Sequence, residues 1–165
     1  AIESSPDIDY FHSSRVHVDE HDAPIAEPYE SRESFTLEDF KVRGPVKHLH
    51  CWRVSKALAT GGMDESLGPH GADDYDFPWT MMEAGARFQA IRDCLYFYRD
   101  RGAQKRLTTH VPRETQVREL VKIFRKHGMT EEEIEEQVAI RSAGYLQQAL
   151  YETDEDVPRS DTGEI

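Results

Sequence analysis

Between Gly61 and Arg99 the chain reads GGMDESLGPHGADDYDFPWTMMEAGARFQAIRDCLYFYR, and no other stretch restricts the fold as much. Gly61-Gly62 predicts a turn and Gly68-Pro69-His70-Gly71 a mobile loop. Asp73, Asp74 and Asp76 then crowd a helix start, where acids meet unpaired N–H groups and the positive end of the helix dipole. Met81, Met82 and Ala84 continue the helix, Gly85 closes it, and Pro78 is expected in the first turn, where no N–H partner is needed. Arg87 to Arg99 predicts a buried strand or strand pair. A carboxylate-rich helix set between a glycine loop and an apolar strand points to an α/β architecture.

The flanking segments fit that class. Ile8 to Val18 reads as a strand, and the polar run Asp19 to Pro24 as a turn joining two short strands. Ala26 to Lys47, punctuated by Pro28, Gly44 and Pro45, reads as a long loop, and long ordered loops usually serve a site. His48 to Ala59 predicts a strand running into a short helix. Beyond Arg101 the pattern turns helical. Val117, Leu120, Val121 and Phe124 form one apolar stripe, with Gly128 as the stop. Thr130 with Glu133 predicts a capping box for a second helix carrying Ile134, Val138, Tyr145, Leu146, Ala149 and Leu150. The expected organisation is an α/β part over residues 1–107, a helical hairpin packed on it over 108–151, and a disordered acidic tail over 152–165.

Charge sharpens this division. The formal net charge of −12 on 165 residues is spread unevenly: residues 1–40 hold 11 acids and 2 bases, residues 130–165 the same, and residues 41–129 hold 10 acids and 16 bases. A basic centre attracts phosphorylated ligands or nucleic acid, although solvated helix and strand faces explain the same count. No zinc-finger spacing, basic reading helix or aromatic RNA-binding strand is visible, so a nucleic-acid partner is not expected. No stretch approaches the roughly 20 apolar residues of a membrane helix, and no signal pattern opens the chain. Cys51 and Cys94 are too few for a disulfide framework and read as reduced, buried side chains of a cytoplasmic protein. The start at Ala1-Ile2-Glu3, without Met, suggests a piece of something longer.

Carboxylates at the mouth of a flexible loop suit a general base, a metal or a sugar hydroxyl; the plainer alternative is that Asp73 and Asp74 only cap a helix. An ionised carboxylate at a helix start becomes an effective base when burial or a like-charged neighbour raises its pKa, and two adjacent aspartates supply that neighbour. Trp52 and Trp79 offer flat faces for a sugar ring, or pack in the core. Asp7-Ile8-Asp9 leads into a strand and is not assigned to a metal. His12, His17 and His21 alternate loosely, and lone surface histidines account for them better than zinc.

The motifs Gly61-Gly62-Met63-Asp64-Glu65, Asp73-Asp74-Tyr75-Asp76, Glu83-Ala84-Gly85-Ala86-Arg87-Phe88 and Tyr96-Phe97-Tyr98-Arg99 occur in the order and at the spacing found in family 2 glycosyltransferases of the GT-A fold, which the chain resembles from about Pro6 to Arg101. The resemblance implies a partial GT-A-like mixed sheet with helices, the acceptor-side half of a nucleotide-diphospho-sugar transferase, followed by the helical hairpin. It implies transfer of a sugar, with inversion, from a nucleotide-sugar donor to the hydroxyl of a glycan or other acceptor. Asp74 falls on the family's catalytic base. Asp73, where the family usually has Glu, together with Gly62, Trp52, Trp79, Arg99 and Arg101, would bind substrate. A divalent metal, Mg or Mn, would belong to the full-length parent, because the family's Asp-x-Asp falls upstream of residue 1; none is assigned here. Arg101 stands where the family often has a metal-contacting His. The processive family's Q-x-x-R-W element is absent.

A different class of function fits the same residues. On that reading the chain is a non-catalytic interaction module with a degenerate transferase fold, meeting a partner protein or a second copy through the hairpin.

Overall fold

A computed structural model describes residues 1–67, 72–99 and 111–143. It is a mixed α/β structure with one three-stranded mixed sheet and five α-helices among the described residues. The chain divides into two compact units, Ala1–Ser66 with Asp73–Gln104 and Leu67–Ala72 with Lys105–Ile165.

The first unit is built on β1 (Tyr10–Val18), the middle strand of the sheet. The short β2 (His50–Trp52) runs antiparallel to it, with Tyr10 opposite Trp52 and His12 opposite His50. On the other side β3 (Phe88–Arg99) runs parallel, from Tyr10 opposite Phe88 to Val18 opposite Arg99. The register shifts at Ser13/Ser14 and Ser14/Arg15 leave Arg92, Asp93 and Leu95 as extra residues on β3. The expected buried strand or strand pair is thus a single bulged edge strand, and Leu95 and Phe97 are exposed. Among the described residues no strand pairs with its other edge.

The turn after β1 forms as expected: the Asp19 side chain accepts from the N–H groups of His21 (2.8 Å) and Ala23 (2.9 Å). The returning segment pairs with β1 through two isolated bridges, Val18 with Pro24 and Arg15 with Tyr29, and the Ser31 N–H donates to the Ser14 hydroxyl at 3.0 Å. Pro24 and Pro28 have no N–H to donate, so no second strand can propagate there.

Within the expected loop 26–47 lies a short helix, α1 (Leu37–Val42). It starts at Thr36, whose N–H and hydroxyl both donate to the Asp39 carboxylate, at 2.7 and 3.0 Å. Phe40 is its buried anchor. The next helices are α2 (Val54–Ala59) and α3 (Asp73–Glu83), with a single 3-10 turn, Glu65–Leu67, between them. Pro78 is the sixth residue of α3, not part of its first turn. It therefore removes the bond to the Asp74 carbonyl, and packing must hold the helix at that point. Phe77, Pro78, Trp79 and Met81 are all buried and supply that packing. Gly85 ends α3 at φ 73°, with the Ala86 N–H reaching the Met81 carbonyl at 3.0 Å.

The core of this unit is aromatic. Tyr10 stacks on Phe88 (4.6 Å between centroids), Trp52 meets Phe77 edge-on (5.1 Å), and Phe40 stacks on Trp79 (5.6 Å). Arg53 ties the N-terminal segment down: its side chain donates to the Ile8 carbonyl at 3.0 Å and to Asp9 at 3.2 Å.

In the second unit, α4 (Arg113–Lys126) and α5 (Glu131–Ala143) form the expected hairpin. Gly128 turns the chain at φ 71° and Thr130 with Glu133 closes the capping box, at 2.8 and 3.2 Å. The buried face of α4 is Glu119, Leu120, Ile123 and Phe124, one position round from the expected stripe, so Val117 and Val121 are only half-buried. Glu119 is tolerated there because Lys122 donates to both of its oxygens, at 2.9 and 3.1 Å. Tyr145, Leu146, Ala149, Leu150 and the expected tail lie outside the described residues. No helix among the described residues is long and apolar enough to cross a membrane.

Candidate functional site

The start of α3 carries Asp73 and Asp74 next to the β1–β2 end of the sheet. Asp74 keeps an open face to solvent while protein packs on its other sides. That loss of water pushes its carboxyl above the ordinary carboxylate range. His48, Lys47 and Arg15 pull the other way, and Asp73 adds to the rise as a like charge. The Tyr10 hydroxyl is pushed up as well, first by burial and then by Asp74 and Cys51. Asp74 is therefore a partly desolvated carboxylate that water and a ligand can both reach.

Beside it stand three histidines from two separate segments. Strand pairing sets His12 opposite His50, and the His48 ring stacks on His50 (4.6 Å) and lies 5.2 Å from Tyr96. Burial lowers His12 to about 4. His50 drops to about 3, through burial first and then the charges of His48, His12, Lys47 and Arg15. Both are neutral at physiological pH, able to donate from one nitrogen and accept at the other. Tyr10 Oη, both nitrogens of His12, His50 Nε2 and Arg15 Nε are buried and have no hydrogen-bond partner among the described residues. Polar atoms buried without partners are uncommon, and four of these five lie on the paired stretch of β1 and β2.

His12 is thus a buried residue and not the surface histidine expected from its spacing. His17 stacks on Tyr98 at 4.8 Å and His21 is exposed in the turn, so the three do not meet. No signal in the sequence joined His12 to His48 and His50, because strand register does that. Among the described residues no three His, Cys, Asp or Glu side chains stand where they could hold a metal ion together.

The other expected site residues fall in different surroundings. Trp52 is half-buried, 6.1 Å from Tyr10 and edge-on to Phe77. Trp79 is 1% exposed between Phe40 and Tyr75, which makes it a core residue with no face left for a sugar. Gly62, at φ 78°, donates to the Ala57 carbonyl at 2.9 Å and so caps α2. Arg99 pairs with Asp22 of the turn after β1. Arg101 lies outside the described residues, as does the loop Gly68 to Gly71. Asp7 pairs with Arg87 at 2.7 Å and Asp9 with Arg53 at 3.2 Å.

Compared with known proteins, the chain matches no family model and no curated protein.

Proposed function

We propose that this chain is the acceptor-side half of an inverting GT-A glycosyltransferase, with Asp74 as its general base. The observation that carries the reading is the state of Asp74: reachable from solvent, partly desolvated, raised in pKa, and seated on the motif Asp73-Asp74-Tyr75-Asp76. A base tuned upward in this way takes a proton from an approaching hydroxyl more readily than an ordinary surface carboxylate does.

In the proposed reaction the acceptor hydroxyl gives its proton to Asp74. Its oxygen pair forms the new bond to the anomeric carbon, and the bond from that carbon to the diphosphate oxygen breaks, releasing a nucleoside diphosphate. Attack opposite the leaving group inverts the configuration. Asp73 and the half-open ring of Trp52 lie on the acceptor side. Arg99 is held by Asp22 and would reach a ligand only by leaving that pair.

A divalent metal, Mg or Mn, belongs to the donor side of the same proposal. The described residues do not fit it: Asp7 and Asp9 are already paired with arginines, and no three His, Cys, Asp or Glu side chains among the described residues could hold a metal ion together. No step is therefore drawn through a metal.

The test is the anomeric configuration of the product. The full-length protein, supplied with nucleotide sugars and a glycan acceptor, is expected to give a glycoside inverted relative to the donor; a retained configuration, or no transfer from any nucleotide sugar, would overturn the reading.

A further inference from the structure

Where the returning segment, β1 and the bulge of β3 meet, they border a cavity of about 400 Å³ that the proton transfer does not use. Its lining among the described residues is Ser14, Glu30, Ser31, Glu33 and Arg92. That volume falls within the range of about 300–1,000 Å³ found for small-molecule sites.

The walls are fixed by hydrogen bonds that cross from one element to the next. The Ser31 N–H donates to the Ser14 hydroxyl at 3.0 Å, and the Ser31 hydroxyl donates to the Ile91 carbonyl at 3.2 Å. Immediately after Ile91 the strand carries the extra residues Arg92 and Asp93, and a bulge of this kind re-aims a side chain out of the regular ladder. Arg92 thereby reaches the returning segment, where its Nε donates to Glu33. Glu30 is near enough to add, after Glu33, to what favours the charged guanidinium.

Polar capacity is left over. Ser14 is only 3% exposed, and the one acceptor near its hydroxyl proton is the Ser31 oxygen at 3.5 Å, a distance at which a hydrogen bond is weak. The other four N–H groups of Arg92 make no hydrogen bond to a described residue, and Glu30 makes neither a hydrogen bond nor an ion pair with one.

This lining selects against most ligand chemistries. Two carboxylates beside one guanidinium leave an excess negative charge that repels phosphate and other anions, and an ammonium ligand must compete with Arg92 for both acids. No apolar side chain is in the described lining, so an apolar ligand gains little there. A hydroxyl fits, because it donates to a carboxylate and accepts from a guanidinium or serine at once. Several hydroxyls on one rigid ring engage such a lining with little loss of ligand freedom.

We propose that the cavity lined by Ser14, Glu30, Ser31, Glu33 and Arg92 is a binding site for a neutral sugar. Glu30 and Glu33 accept from its hydroxyls, while Arg92 and Ser14 donate to them. That the bound sugar belongs to the acceptor rests on the glycosyltransferase reading; binding of the sugar does not.

An array of neutral and anionic glycans probed with the protein, each hit then titrated and followed by amide shifts in NMR, tests the site. At least one neutral glycan is expected to bind, with saturable shifts at residues 14, 30–33 and 91–93. Glu33→Gln with Arg92→Gln removes a solvent-exposed pair and is expected to weaken binding about tenfold or more while the spectrum stays dispersed. Binding of no neutral glycan, shifts confined to other residues, or affinity unchanged in the double variant would overturn the site. Transfer assays on the full-length protein keep the two claims apart. Sugar transfer with no neutral glycan bound at these residues overturns the site alone, whereas glycan binding there with no transfer from any nucleotide sugar overturns only the transferase reading.

Discussion

The helical hairpin and the Tyr29 region handle charge in opposite ways. In the hairpin, acids and bases neutralise each other locally: Lys122 holds Glu119, the Arg125 fork takes both oxygens of Glu131 at 2.9 Å, and Glu133 closes its own cap on Thr130. In the sheet unit three cations lie near the Tyr29 ring, burial keeps His12 and His50 neutral, and five buried polar atoms of Tyr10, His12, Arg15 and His50 have no hydrogen-bond partner among the described residues. Paired charge stabilises a fold and leaves little for a ligand. Buried polar groups without partners are destabilising on their own, and the aromatic packing of the same unit must offset the cost.

The largest effect is therefore expected in that packing. Trp79→Ala removes a ring stacked on Phe40 and is expected to cost about 3–5 kcal/mol. Phe97→Ala, on the exposed edge strand, is expected to stay within about 0.5 kcal/mol. Urea unfolding of the two variants measures both; equal losses would erase the distinction between an aromatic core and an open strand face.

Acid separates the two regions next. His12 and His50 are lowered from 6.5, so the unfolded chain binds protons that the folded one refuses. Their region is stable above about pH 6.5 and loses stability as pH falls toward 4 for His12 and toward 3 for His50, by up to ~1.4 kcal/mol per pH unit for each. In the hairpin, Glu131 is lowered from 4.5 by its hydrogen bond and pairing with Arg125. Its contribution is present above 4.5 and is lost only below that. Amide exchange followed from pH 7 to 4 is expected to show the sheet loosening before the hairpin, and His12→Gln is expected to flatten the sheet's dependence. Simultaneous loosening would contradict the contrast.

The smallest effect tests the other side. Arg125→Ala breaks a solvent-exposed pair and is expected to cost less than about 1 kcal/mol. Thermal melting reads it, and a loss several times larger would mean that hairpin charge is worth more than local neutralisation.

The sequence made the ends of the helices easier to read than the site. Gly85 and Gly128 announced stops because a left-handed residue is needed there, and Thr130 with Glu133 announced a start because both partners lie within one turn. The helix at Leu37–Val42 escaped notice for lack of an apolar stripe: Phe40 is its one buried residue, and Asp39 takes the place of the usual Glu in the cap. The edge strand was read as buried because Leu95 to Tyr98 are apolar or aromatic, a pattern that does not tell a covered face from an open one. Asp73 and Asp74 were legible as a local cluster. The three histidines and three cations were not, because they come from segments brought together only by the pairing of His12 with His50 and of Arg15 with Tyr29.

The central claim is that Asp74, and not its neighbour, takes the acceptor proton. The direct measurement is kcat of Asp74→Asn beside Asp73→Asn at saturating donor, in the full-length protein. The account predicts a loss of about 10²–10⁴-fold for Asp74→Asn and under about tenfold for Asp73→Asn; equal losses, or full activity in Asp74→Asn, would contradict it.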